Sequence, residues 1–211
     1  MIGGAGDDTY RVDSDGDQII EISNGGDDTA LASISYQIAI GVDNLTLNVG
    51  GLTGTGNFGA NTLIGSLGAD TLDGGFGSDV LNGGDGDDVL IGGIGDRRDI
   101  LIGGNGGDQF DGGEGDDRIF GNGGNDVMQG GAGDDFIYGQ SDDDQITGGA
   151  GADTFQFATL HGDDVITDFT VNEDIFLAFG FGFASGADVL ALAPTDGGDT
   201  VVNLTGGGTV T

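Results

Sequence analysis

The chain contains no cysteine and no lysine, and it has only four arginines against 37 acidic residues. Without cysteine it can form neither a disulfide framework nor a thiolate metal centre. The resulting net charge of −33 opposes binding to nucleic acid and to anionic membranes, because both are polyanions. We therefore expect neither as a partner.

Long apolar runs are also scarce. The longest, at 175–184, is too short to cross a bilayer, and the first residues, MIGGAGDD, lack the basic and apolar regions of a cleavable signal. The single histidine, His161, excludes a multi-histidine zinc centre, and we expect it to have a surface or capping role. No nucleophile, base and orienting group can be recognised together. The sequence thus predicts no membrane insertion and no enzymatic activity.

Glycine, in contrast, is abundant and regularly spaced, with 49 residues. Eleven consecutive units of nine residues run from Gly56 to Gln156, and one of them, GGIGDRRDILI, carries two extra residues. Position 1 is always glycine, position 4 is glycine in ten units, position 6 is aspartate in ten units, and position 8 is always large and apolar. A disordered Gly/Asp-rich segment would not keep four registers through eleven units, so the repeat predicts a solenoid.

Each unit divides into two parts. Its first six residues are rich in glycine and predict a tight loop, whereas its last three, such as Val89, Leu90 and Ile91, are strand formers that point position 8 to one face. Two units then make one coil with position 8 facing inward. The prediction is an all-β fold, a right-handed parallel β-roll of stacked coils.

Stacked coils place the aspartates at position 6 in two columns. One column contains Asp70, Asp88, Asp108, Asp126 and Asp144, and the other contains Asp79, Asp99, Asp117, Asp135 and Asp153. Neighbouring carboxylates a few ångströms apart repel by about 4 kcal/mol at an effective dielectric constant of about 20. A divalent cation between successive loops would reverse this term, and an all-oxygen donor set without His or Cys favours Ca²⁺. Asp87, at the variable position 5, is expected to face solvent.

The unit resembles the RTX (repeats-in-toxin) calcium-binding nonapeptide, G-G-x-G-x-D-x-U-x. The resemblance implies that each ion lies between loops two units apart, bound by position-6 aspartates and loop carbonyls. Pairs in which both members are aspartate number four in each column, so about eight Ca²⁺ ions are expected. Two departures affect this pattern: Asn61 starts the array without a charge, and the DRR insertion at 96–98 is expected to distort the loop at Asp99.

Related units lie outside the array. GGAGDDTYR at 3–11 is a complete nonad that adds Asp8 to the expected calcium ligands, and HGDDVIT at 161–167 adds Asp164, opposite Asp144. We expect three regions: degenerate repeats and strands over 1–55, with two or three strands over 30–55; the array over 56–156; and a cap over 157–211. The cap is predicted to contain a helix near 186–193 and a hairpin over 199–211.

The same resemblance implies a role. It predicts a monomeric module that folds on calcium binding outside the cell, is exported without a cleavable signal by type I secretion, and assists the secretion and folding of an upstream domain of the same protein. The alternative is an extracellular binding module for polysaccharide, a cell surface or ice. It would use the outward positions 7 and 9, represented by Ile91, Ile102, Phe120, Gln129 and Tyr138.

Overall fold

The computed structural model describes residues 1–21, 25–95, 97–158, 161–179 and 208–210. This part of the chain forms nineteen β-strands and contains no helix. The strands are β1 (Thr9–Val12), β2 (Thr29–Ala32), β3 (Tyr36–Gln37), β4 (Asn44–Leu47), β5 (Thr53–Thr55), β6 (Thr62–Ile64), β7 (Thr71–Phe76), β8 (Val80–Asp85), β9 (Val89–Ile94), β10 (Ile100–Asn105), β11 (Gln109–Glu114), β12 (Arg118–Gly123), β13 (Val127–Ala132), β14 (Phe136–Ser141), β15 (Gln145–Ala150), β16 (Thr154–Ala158), β17 (Gly162–Ile166), β18 (Ile175–Phe179) and β19 (Gly208–Val210).

The strands form two parallel sheets. One has ten strands in the order β1-β2-β4-β6-β8-β10-β12-β14-β16-β18, and the other has nine in the order β19-β17-β15-β13-β11-β9-β7-β5-β3. Successive strands of the array therefore alternate between the sheets, and two units make one coil of a solenoid of about nine turns. The predicted all-β parallel β-roll is confirmed.

The core lies between the two sheets and is a column of position-8 side chains. Leu72 pairs with Leu90 in one sheet, and Leu81 pairs with Leu101 in the other, so identical positions stack in register. All eleven position-8 side chains are at most 5% exposed. The same apolar core continues through Leu45 and Tyr10 in the first coils. Burial of these side chains supplies the apolar stabilisation of the roll.

The strands are longer than the repeat pattern predicts. In the centre of the array each strand has six residues, such as Val89–Ile94, and includes the first three positions of the following unit. The prediction that these positions belong to the loop is wrong. Glycines at position 2, such as Gly75 and Gly93, have positive φ angles of +91° and +125°. They nevertheless align with each other in the parallel ladder, because every coil repeats the same backbone path.

The regions flanking the array contribute to the same two sheets. Residues 29–55 form four strands, β2 to β5, rather than two or three, and β16 to β18 continue both sheets beyond the array. Strand β19 pairs in parallel with β17. The predicted helix near 186–193, and most of the predicted hairpin over 199–211, lie outside the described residues.

Glycine at position 2 is required by close contact between coils as well as by φ. Gly113 has φ +100°, and a Cβ there would overlap the carbonyl oxygen of Gly93. Gly95 has φ +135°, but a Cβ there would meet nothing within 4 Å. We expect Gly113→Ala to destabilise the calcium-loaded roll by about 1 to 3 kcal/mol more than Gly95→Ala, because only the first forces two coils apart. Thermal unfolding in calcium measures the difference; equal shifts would mean that φ strain alone determines the effect.

Candidate functional site

Each aspartate at position 6 immediately precedes a strand, so the register of the sheets determines where its carboxylate lies. The structure brings the ten repeat aspartates into two columns, one at the start of the strands of each sheet. All ten are at most 3% exposed. Among the neighbours at position 5, Asp87 and Asp116 are exposed, as predicted for Asp87. Burial of so many carboxylates is unusual, since a buried charge is costly unless it is compensated.

One oxygen of each carboxylate is held by the backbone of the preceding coil. The amide of Asp88 donates to Oδ1 of Asp108 at 2.8 Å, and the amide of Asp108 donates to Oδ1 of Asp126 at 2.8 Å. Equivalent bonds of 2.7 to 3.0 Å continue along both columns. This contact fixes the side-chain rotamer, so the second oxygen, Oδ2, has a defined direction.

Most of these second oxygens have no hydrogen-bond partner among the described residues. The buried and unpartnered Oδ2 atoms within the array are those of Asp79, Asp88, Asp108, Asp117, Asp126, Asp135 and Asp144. They face the glycine at position 1. A Cβ placed on Gly74 would lie 2.6 Å from Oδ2 of Asp79 and 2.7 Å from the carbonyl oxygen of Gly92 in the next coil. Carboxylate and carbonyl oxygens of adjacent coils converge in the same way beside Gly92, Gly112, Gly121 and Gly130. This is the donor chemistry that hard cations require.

Burial raises the pKa of these carboxyl groups. The pKa is about 8 in Asp144, about 7 in Asp79, Asp108, Asp117, Asp135 and Asp164, and about 6 in Asp126 and Asp153. Desolvation is the largest cause, the amide hydrogen bond opposes it, and neighbouring carboxylates add to it. Without a cation, the columns thus hold their negative charge poorly near neutral pH.

The first two units of the array, and the unit that follows it, differ from the middle of the array. Oδ2 of Asp70 accepts hydrogen bonds from the amide and hydroxyl of Ser66 at 2.8 and 2.9 Å. Oδ2 of Asp164 lies 2.7 Å from Nδ1 of His161, and both side chains are at most 1% exposed. Asn61 donates through Nδ2 to the carbonyl of Asp43 and accepts at Oδ1 from the amide of Asn57. In these three units, protein groups contact the side-chain oxygen that corresponds to the unpartnered Oδ2 of the central units.

The DRR insertion leaves the column intact. Asp99 accepts from the amide of Asp79 at 2.7 Å, and its own amide donates to Asp117 at 2.8 Å. These two hydrogen bonds have the same lengths as those elsewhere in the columns, so they show no sign of the distortion predicted at Asp99. Arg98 turns outward, and its Nε donates to the carbonyl of Asp116 at 2.9 Å. Arg97 and Arg98 are both exposed.

Three further aspartates belong to the columns and were not predicted as ligands. The amide of Asp8 donates to Asp28 and that of Asp28 donates to Asp43, both at 2.8 Å, while the amide of Asp153 donates to Asp174 at 3.0 Å. The sequence intervals between these partners are 20, 15 and 21 residues, whereas most array partners are 18 apart. The sequence contained one sign that these aspartates occupy position 6. Each is followed two positions later by an apolar residue, as in the repeat: Ala30, Leu45 or Phe176.

The outer face of the ten-stranded sheet carries a small aromatic cluster. The Arg118 guanidinium lies 5.2 Å from the ring centroid of Phe136 and 5.7 Å from that of Phe120. Tyr138 pairs with Phe120 in the adjacent strand. Within the described residues there is no helix long and apolar enough to span a membrane.

Comparison with known families agrees with the repeat and the geometry. The family of the RTX calcium-binding nonapeptide repeat matches this chain in four overlapping copies, at residues 55–90, 64–98, 94–128 and 120–155. The array consists of RTX calcium-binding repeats. It is accordingly a calcium-binding β-roll, and the RTX repeat region is a structural module rather than a catalytic one.

No curated protein matches the chain. Among solved structures, the chain is similar to the extracellular lipase LipA from Serratia marcescens, with 17% sequence identity and a TM-score of 0.37. The alignment covers 87% of this chain and 42% of the lipase chain. The chain thus spans less than half of the length of that structure.

Proposed function

We propose that this chain is a calcium-responsive folding module of a larger secreted protein. Its position-6 aspartates bind Ca²⁺ between adjacent coils, and ion binding and folding are one event. The observation that carries the proposal is the row of buried carboxylates whose Oδ1 is fixed by an amide while Oδ2 has no partner among the described residues.

The residues present fit calcium better than other common metals. The converging atoms are carboxylate and backbone carbonyl oxygens, and cysteine is absent from the whole chain. Such a set suits Ca²⁺, which accepts many oxygen ligands in flexible geometry, whereas Mg²⁺ demands a strict octahedron and Zn²⁺ prefers nitrogen and sulfur. A bound Ca²⁺ would supply the positive charge that the buried columns lack.

The ligand assignment follows the two columns. Four consecutive aspartate pairs in each column give about eight sites, from Asp70/Asp88 to Asp135/Asp153. Asp8 and Asp164 would extend the columns at either end. The site at Asp164 is expected to be weaker, because His161 already contacts its Oδ2.

Coupling of folding to calcium suits passage out of the cell. With a net charge of −33, the chain without calcium would stay expanded by its own repulsion, a state compatible with threading through a type I secretion channel. Abundant extracellular calcium would then fold it, because a ligand that binds only the folded state stabilises it by mass action. As a folded monomer outside the cell, it would support the folding of an upstream domain of the same chain.

The test of the ligand assignment is a pair of neighbouring variants. Asp117 is buried between Asp99 and Asp135 and would contribute to two sites, whereas the adjacent Asp116 is exposed. We expect Asp117→Asn to weaken or remove two of the bound Ca²⁺ ions, and Asp116→Asn to leave the number unchanged. Calcium stoichiometry is measured by isothermal titration calorimetry on the full chain.

Both variants keep similar size and shape, and both change the net charge by one unit, so their difference isolates the buried position. Far-UV circular dichroism in saturating calcium checks that each variant folds. If Asp117→Asn and Asp116→Asn bind the same number of ions with the same affinities, the position-6 aspartates are not the ligands.

A further inference from the structure

The first coil contains a group of acidic side chains that the repeat pattern does not explain. Ile2 and Ile20 form a parallel bridge, which aligns Gly3 with Glu21 at an interval of 18 residues, the common interval between stacked positions in the array. Gly3 occupies position 1 of its nonad. The stacked position 1 is glycine throughout the array, but here it is glutamate.

The side chain of Glu21 joins two column carboxylates. Carboxylate oxygens of Asp8, Glu21 and Asp28 lie within 4.8 Å of one another. A Cβ placed on Gly3 would overlap Oε1 of Glu21 and the hydroxyl of Tyr10, and would lie 2.8 Å from Oδ2 of Asp8. At the equivalent point in the array, beside Gly74, the neighbours are one carboxylate oxygen and one backbone carbonyl. Glu21 therefore supplies a third carboxylate where the array has a neutral carbonyl.

Two buried polar atoms in this group have no hydrogen-bond partner among the described residues. The Tyr10 side chain occupies the inward position 8 and is 5% exposed, and its hydroxyl has no hydrogen-bond partner among the described residues. Asp28 is 0% exposed, and its Oδ2 is likewise unpartnered in the described part of the chain. A buried hydroxyl and a buried carboxylate oxygen are costly when unsatisfied. A cation between the three carboxylates would compensate the charge of the Asp28 carboxylate and would bind the lone pairs of both oxygens.

We infer that Asp8, Glu21 and Asp28 form a separate cation site, with the Tyr10 hydroxyl beside it, for a hard ion such as Ca²⁺ or a trivalent lanthanide. It differs from the array sites because three carboxylates, rather than a pair, would bind one ion. Since affinity in oxygen sites increases with ligand charge, we expect this site to bind its ion more tightly than an array site. The ion would connect Asp8, directly before β1, with Asp28, directly before β2, and so stabilise the contact between these two coils. The site lies at the end of a column but outside the array, and it shares none of the ten position-6 aspartates of residues 56–156.

Terbium(III) luminescence tests the site on the full chain, because a nearby phenol sensitises the bound ion. We expect the first equivalent of Tb³⁺ to produce emission on tyrosine excitation, and Ca²⁺ to compete with it. Glu21→Gln should weaken this first binding event by at least about tenfold, as expected for loss of one of three anionic ligands. Glu114→Gln is the matched control, since Glu114 is exposed in the array and should have no effect.

A second variant separates the site from general folding. Tyr10→Phe keeps the three carboxylates and should abolish the sensitised emission of the first equivalent while calorimetry still detects its binding; Tyr36 and Tyr138 remain as internal references. The inference is overturned if Glu21→Gln and Glu114→Gln titrate identically, or if Tyr10→Phe retains the emission. In either case an unchanged number of array ions would leave the proposed function intact.

Discussion

Removing calcium with a chelator is expected to abolish most of the β-structure of this chain at neutral pH. Without ions, the buried carboxylates repel along both columns, and one large apolar side chain per nine residues does not offset that repulsion and the chain entropy. Each ion present at about 100-fold over its Kd contributes about 2.7 kcal/mol, so eight independent sites contribute on the order of 20 kcal/mol. Far-UV circular dichroism should show the loss in EGTA and its recovery when excess calcium is added.

Two controls distinguish specific ion bridges from charge screening. A high concentration of potassium chloride screens exposed charges but cannot bridge buried oxygens, so it should not restore the β signal. Magnesium should restore little of it, because it dehydrates reluctantly. A complete β spectrum in EGTA, or full recovery in potassium chloride alone, would show that the apolar column suffices to fold the roll.

Acidification is expected to have opposite effects with and without calcium. In the calcium-free roll, burial raises the pKa of Asp144 to about 8 and that of Asp117 and Asp135 to about 7, against about 3.9 in an unfolded chain. The folded state therefore binds protons more tightly, and protonation stabilises it. This contribution is complete below the unfolded pKa and is lost as pH rises through the range of about 6 to 8. The calcium-free chain should thus gain β-structure between about pH 8 and pH 5.

With calcium the sign reverses, because protons and Ca²⁺ compete for the same oxygens. For each proton displaced per ion, the apparent affinity should fall about tenfold per pH unit below the pKa of the site. Calcium titrations at several pH values, followed by circular dichroism, measure the midpoint, and calorimetry in buffers of different ionisation enthalpy counts the protons released. A calcium midpoint that is independent of pH between about 8 and 6 would contradict the raised pKa values.

Much of this architecture follows from the sequence, because the repeat imposes one solution on every unit. The large residue at position 8, from Leu63 to Phe155, had to face inward for any coil to have a core, and the structure buries all eleven. Stacking identical units also required the position-6 aspartates to align. The opposition of Asp88 to Asp108 was therefore predictable without knowledge of a single distance.

The rest depended on interactions that the repeat does not encode. Strand length was underestimated because glycine normally weakens strands, yet here stacked glycines such as Gly84 and Gly104 keep the ladder in register. Asp43 and Asp174 were missed because irregular loops shift them away from the regular interval. The contact between His161 and Asp164 is a tertiary feature of one unit, and no pattern predicts it. The sequence likewise did not indicate that Glu21 reaches Asp8.

The hydrogen bonds of the columns all run in one direction, from the amide of one aspartate to the carboxylate of the next coil toward the C terminus. Each coil therefore has two different faces, one that presents amide donors and one that presents carboxylate acceptors. A transplanted coil would meet compatible chemistry on both sides only in its original orientation and only as a whole turn. Such modules can lengthen or shorten by duplication and deletion of complete turns, while inversion of a turn would place donor against donor.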